Sequence, residues 1–185
     1  MIKKYSEDDG KIFLDYVRSI LAGELSIPGF TGIDVRKYSD RRGVFVTLTL
    51  KGNLRGCIGY PYPTLPLNIA VEKAAKSAAF SDPRFPPVSR DEFNSLSFEV
   101  SVLTLPCEII VEDRIMLPEK ITVGRDGLIV EHGAFSGLLL PQVATEWNFD
   151  SRTFLDQVCV KAGLPKNSWM RKDCKIFTFE AQVFH

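Results

Sequence analysis

The chain has 185 residues, 45% of them hydrophobic, 11% aromatic and 25% charged, which excludes disordered, collagenous and low-complexity classes. Its 23 Lys and Arg balance 23 Asp and Glu, so it lacks the broad positive field that non-specific nucleic-acid binding draws on. At this length about 70% of the unfolded chain's surface can be buried, so a sizeable core needs neither disulfides nor metals.

Ser6 followed by Glu7, Asp8 and Asp9 is a helix start, and Ile12, Phe13, Tyr16, Val17, Ile20 and Leu21 recur at helical spacing, predicting a helix over 6–22. Residues 43–50 are β-branched and alternate, Lys51-Gly52-Asn53 is a turn signal, and 54–60 return as a second strand, so a hairpin is expected there. An Ala-rich helix follows over 67–79 and ends at Ser81-Asp82-Pro83. The run Asp82-Pro-Arg-Phe-Pro-Pro87 cannot be helical and reads as a stiff surface loop. A helical turn is expected at 91–94, then a strand from Leu96 to Leu105, with Leu96, Phe98, Val100 and Val102 on one face and Glu99, Ser101 and Leu103 on the other. Residues 107–111 read as strand and 117–120 as a connection.

The second half echoes the first. Arg55-Gly-Cys-Ile58 before Pro61 matches Ser136-Gly-Leu-Leu139 before Pro141, and Phe98-Glu99 matches Phe179-Glu180; Gly56 to Gly137 and Phe98 to Phe179 are each 81 residues apart. A single domain with two lobes is therefore expected, built from approximate repeats 31–112 and 113–185 after the N-terminal helix. Apolar runs such as 137–141 are far short of the about 20 residues that a membrane helix needs. Met1–Asp9 shows no apolar run behind its lysines, so no secretory signal and a cytoplasmic location are expected. Cys57, Cys107, Cys159 and Cys174 form no C-x-x-C pair and only His132 and His185 stand beside them, so free thiols and no metal site are expected. Nucleotide-binding, zinc-protease and serine-hydrolase motifs are missing.

The run Leu54-Arg-Gly-Cys-Ile-Gly59, with Asp82-Pro-Arg-Phe-Pro-Pro87, Glu99-Val-Ser-Val-Leu103, Gly137-Leu-Leu-Leu-Pro-Gln-Val143, Cys159-Val-Lys-Ala-Gly-Leu164 and Trp169, closely resembles the AMMECR family. That family is named after a human chromosomal region linked to Alport syndrome, midface hypoplasia, mental retardation and elliptocytosis. The resemblance covers nearly the whole chain. It implies an α+β fold with two β-rich, helix-containing repeats around one barrel-like, largely antiparallel sheet. It also implies an association with a Memo-type protein and a radical SAM protein, and names neither a reaction nor a cofactor.

As chemistry, Gly56 and Gly59 allow close backbone approach and leave Cys57 in a cramped setting that suits a nucleophile. Arg55 favours a thiolate if the strand bulges enough to bring it alongside. Glu99 is a candidate general base, and Arg84 in the proline-braced loop is suited to a carboxylate or phosphate, or to an ion pair with Asp82. The expected site is therefore a cleft between the repeats, with Cys57 and Glu99 catalytic and Arg55, Gly56, Gly59 and Arg84 binding a small metabolite or a modified protein group. The competing reading is a non-catalytic protein- or nucleic-acid-interaction module with a regulatory role in transcription, repair or translation, in which 54–59 is only a tight strand crossing.

Overall fold

The structure is a computed structural model that describes residues 4–30 and 32–185. Met1–Lys3, part of the stretch from which no secretory signal was expected, and Thr31, where the first repeat was expected to begin, lie outside the described residues. Two compact units emerge, one of the described residues up to Leu103 together with Gln182–His185, the other of Thr104–Ala181. Both combine helices with antiparallel strands, so the fold is α+β.

In the first unit, α1 (Glu7–Glu24) begins in a capping box: the Asp9 N–H donates to Ser6 Oγ at 3.2 Å and the Ser6 N–H donates to Asp9 Oδ2 at 3.0 Å. Strands β1 (Val44–Leu50) and β2 (Asn53–Tyr60) form the hairpin, turning at Lys51 and Gly52, both with positive φ. After α2 (Leu67–Phe80), β3 (Leu96–Leu103) returns antiparallel to β1, so β1 lies between β2 and β3. Alternation puts Val44, Val46, Leu48, Phe98, Val100 and Val102 on one face, buried with the small residues Ala70, Ala74, Ala75 and Ala78 of α2 and with Phe13, Val17 and Leu21 of α1.

The ladder between β1 and β2 carries a bulge. Leu48 pairs with Gly56 and Thr49 with Leu54, so Arg55 is an extra residue on β2. The shift turns Gly56 toward the helix side, where an added Cβ would fall on the Ala78 carbonyl oxygen. Glycine is needed here for close approach.

The second unit repeats the order of hairpin, helix and returning strand. Strand β4 is a two-residue stub, Cys107–Glu108, shorter than the expected strand to 111; it pairs with β7, and one further bond runs from the Ile109 N–H to the Ile176 carbonyl at 2.8 Å. A 3₁₀ turn over Arg114–Lys120 extends the expected connection. Strands β5 (Asp126–His132) and β6 (Phe135–Leu139) form the hairpin, α3 (Pro141–Glu146) and α4 (Ser151–Lys161) follow, and β7 (Lys175–Phe184) pairs antiparallel with β5. Leu128, Val130, Phe154, Leu155, Val158, Trp169 and Ile176 make its core, with Trp169 Nε1 donating to Asp156 Oδ1 at 2.7 Å. No described helix is long and apolar enough to cross a membrane.

Glycine substitutions separate packing from propensity. Gly56→Ala is expected to lower stability by about 2 kcal/mol or more, because helix and strand must separate to admit the methyl group. Gly23→Ala, where nothing lies within 4 Å of the new Cβ, is expected to raise it by about 0.5–1 kcal/mol. Denaturant unfolding of the two variants measures both signs.

Candidate functional site

The bulge decides which way Cys57 points. With Arg55 looped out, Cys57 comes opposite Thr47, on the face of the sheet away from Val46 and Leu48. Thr47 is also opposite Glu99 on β3, so Cys57, Thr47 and Glu99 form one row across three strands. The Thr47 hydroxyl donates to Cys57 Sγ at 3.3 Å, and Ser101 Oγ donates to Glu99 Oε1 at 3.3 Å. Cys57, Thr47 and Glu99 are half-buried and Ser101 is buried. In the next row Gly59 faces Phe45, where a side chain would collide with the Phe45 ring.

β2 is an outer strand, and the loop 82–87 covers its free edge with side chains in place of a neighbouring strand. The Cys57 N–H donates to Asp82 Oδ2 at 2.9 Å, and Arg84 Nη2 donates to the Cys57 carbonyl at 3.1 Å. Arg84 grips the same carboxylate at 2.9 Å through Nε and 2.7 Å through Nη2. The guanidinium, followed by the Cys57 and Arg84 backbone N–H groups, holds the buried Asp82 carboxyl well below the usual carboxylate range. Arg84 is itself 53% exposed along its side chain, and no hydrogen bond from its Nη1 to a described residue is seen.

Arg55 goes elsewhere. Its buried guanidinium donates to Glu92 Oε1 at 2.9 Å and Oε2 at 3.2 Å, and to the carbonyls of Pro86 at 2.8 Å and Pro87 at 3.2 Å. These bonds tie the far end of the loop to β2 and leave Arg55 turned away from the Cys57 sulfur. Of the residues singled out in the sequence, the sheet brings Cys57 and Glu99 into one row, places Arg84 at the strand edge beside Cys57, and uses Gly56 and Arg55 to hold the strand and loop in place. Thr47 and the edge-capping part of Asp82 were missed: counting back from the Lys51-Gly52 turn without a bulge pairs Thr47 with Gly56.

A family model described as AMMECR1 matches residues 15–184. A protein of Methanothermobacter thermautotrophicus is 55% identical over 148 residues, covering 80% of this chain and 77% of its own. Protein MJ0810 of Methanocaldococcus jannaschii is 43% identical over 184 residues, covering 96% of this chain and 90% of its own. The crystal structure of the uncharacterized protein PH0010 from Pyrococcus horikoshii superimposes with a TM-score of 0.88 at 42% identity, over 98% of this chain and 93% of that one.

The loop clamp has a pH signature. Arg55, with the Ser89 N–H, lowers the Glu92 carboxyl from 4.5 to about 2. A depressed carboxylate stabilises the fold fully above its unfolded value, and that contribution is lost as pH falls toward the folded one. Glu92→Gln is therefore expected to cost about 2 kcal/mol near neutral pH, with the gap to the parent protein closing as pH falls from about 4.5 to about 2. Urea unfolding of both proteins across that range checks it.

Proposed function

Because the chain belongs to the AMMECR1 family, we propose that the sheet face around Cys57 is a catalytic cleft acting on a small polar metabolite or on a modified protein group, in concert with Memo-type and radical SAM proteins. The observation that carries this reading is the single row Cys57, Thr47, Glu99 with the threonine hydroxyl 3.3 Å from the sulfur. A hydroxyl both accepts and donates. The Thr47 hydroxyl, which donates to the sulfur at rest, turns toward Glu99, takes the thiol proton and passes its own to that carboxylate, and the thiolate adds to an electrophilic carbonyl carbon of the ligand as the carbonyl electron pair moves onto oxygen. Cys57's own N–H is engaged by Asp82, so it is not a donor to that oxygen. Arg84, anchored through Nε and Nη2, presents Nη1 to a ligand carboxylate or phosphate. Gly56, Gly59 and Arg55 hold the strand and loop that position Cys57.

One observation favours the second reading. Both backbone groups of Cys57 serve the edge cap and Gly56 is pressed on Ala78, as expected of a structural crossing in a non-catalytic interaction module. The balanced charge of the chain favours a protein partner over nucleic acid for such a module.

Alkylation of the native protein with iodoacetamide across pH, resolved by peptide mass spectrometry, tests the catalytic reading. Exposed Cys107 and buried Cys159 bracket the unactivated behaviours. Cys57 is expected to react faster than Cys107 in spite of its partial burial, and Glu99→Gln to slow it about tenfold or more. A Cys57 slower than Cys107, or one indifferent to Glu99→Gln, overturns the nucleophile. Undiminished binding of a purified Memo-type protein by a stably folded Cys57→Ser variant then favours the module.

A further inference from the structure

Both tryptophans of the chain lie in the unit of Thr104–Ala181, and the fold treats them in opposite ways. Trp169 is fully buried with its Nε1–H bonded to Asp156, whereas Trp147 is 70% exposed. Leaving an indole in water forgoes a large apolar burial, so a local device has to hold it there.

The end of α3 is that device. The Phe149 N–H donates to the Ala144 carbonyl at 2.8 Å and the Asn148 N–H to the Thr145 carbonyl at 3.2 Å, with Asn148 in the left-handed region at φ 51°. This paired closure ends the helix in one fixed turn. The next residue, Asp150, caps α4, its Oδ1 accepting the Thr153 N–H at 2.7 Å. Trp147 and Phe149 are thus set between two anchored helix ends, their ring centroids 6.5 Å apart and their planes 21° from parallel.

The two rings form one wall of an open cavity of about 290 Å³. Leu139 at the end of β6, Val143 of α3 and Val160 of α4 add apolar lining, while Gln157 and Lys161, one turn apart on α4, supply its polar side. Lys161 is the one charged residue in that lining, and no ion pair to another described residue is seen for it. The cavity therefore combines an aromatic wall with an uncompensated cation and no carboxylate. A ligand that matches it has a flat apolar body and an anionic end.

We propose that this cavity binds a small aromatic carboxylate, its ring against Trp147 and Phe149 and its carboxylate on Lys161. Aromatic rings in contact gain more than the area they bury, and the Gln157 amide is a further donor for the carboxylate. Ligand pockets span about 300–1,000 Å³, so this one, at the lower end, takes a single ring system with a short acid arm and is too small for a partner's helix. Because the turn holding the aromatic wall is already closed, binding spends little on ordering it. The inference does not depend on the reading of Cys57.

Two-dimensional heteronuclear NMR of the isotope-labelled whole chain tests it, since the two indole N–H groups give separate signals and buried Trp169 is an internal control. Phenylpropionate, with indoleacetate as a wider ring, is expected to shift the Trp147 signal saturably and to leave that of Trp169 in place. Phenylpropanol, which keeps the ring and lacks the charge, and cyclohexylpropionate, which keeps the charge and lacks the aromatic ring, are each expected to bind about threefold or more weakly than phenylpropionate. Lys161→Gln, at an exposed position, is expected to keep the fold and bring the acid down to the affinity of the alcohol. A Trp147 signal that neither aromatic acid moves, equal binding of acid and alcohol, equal binding of the cyclohexyl acid, or an affinity unchanged by Lys161→Gln overturns the proposal. So does a Trp147 signal that moves with protein concentration alone, which marks this face as a contact between two copies of the chain.

Discussion

Close packing of the Gly56 backbone on the Ala78 carbonyl depends on one extra residue in β2, and the arrangement around Cys57 depends on that packing in turn. Without the bulge at Arg55, every later residue of β2 would change faces, because side chains alternate with a period of two. Cys57 would then point toward the helices and Gly56 away from them. The bulge instead turns the side-chain-free position to the helix and the thiol to the polar row with Thr47 and Glu99. It also releases Arg55 from the ladder, free to reach Glu92 and the proline carbonyls.

The proline loop is held at both ends by charge. Asp82 and Arg84 pin its start to the edge of β2 at Cys57, and Arg55 with Glu92 pins its end. A buried carboxylate is tolerated only when its oxygens are well supplied with donors, and Asp82 receives the Arg84 guanidinium and two backbone N–H groups. Because prolines 83, 86 and 87 have already removed backbone freedom, few additional contacts are needed to order the loop. The same contacts occupy the open edge of β2, which would otherwise be a template for another strand.

The second unit solves its packing in a similar way. Gly137 of β6 lies where a Cβ would press on the Ala162 backbone at the end of α4, as Gly56 does against Ala78. Both units share the order of hairpin, helix and returning strand. The cysteines of the second unit differ: in place of a half-buried cysteine in a polar row, Cys159 and Cys174 are buried in its core.

Periodicity, caps and breakers determined most of the local structure. The capping box at Ser6 and Asp9, the Lys51-Gly52 turn, the alanine face of α2 and the alternation of β3 all act within a few residues, so the sequence displays them directly. The motif around Cys57 likewise singled out the neighbourhood of the candidate site, including Glu99 and Arg84. Tertiary structure alone decided the bulge, and with it Thr47 as the neighbour of Cys57, the diversion of Arg55 to Glu92, and the burial of Cys159 and Cys174 in one core cluster. Those outcomes turn on register and on how closely a helix approaches a strand. Both are fixed by contacts between residues distant along the chain, for which local spacing carries no signal.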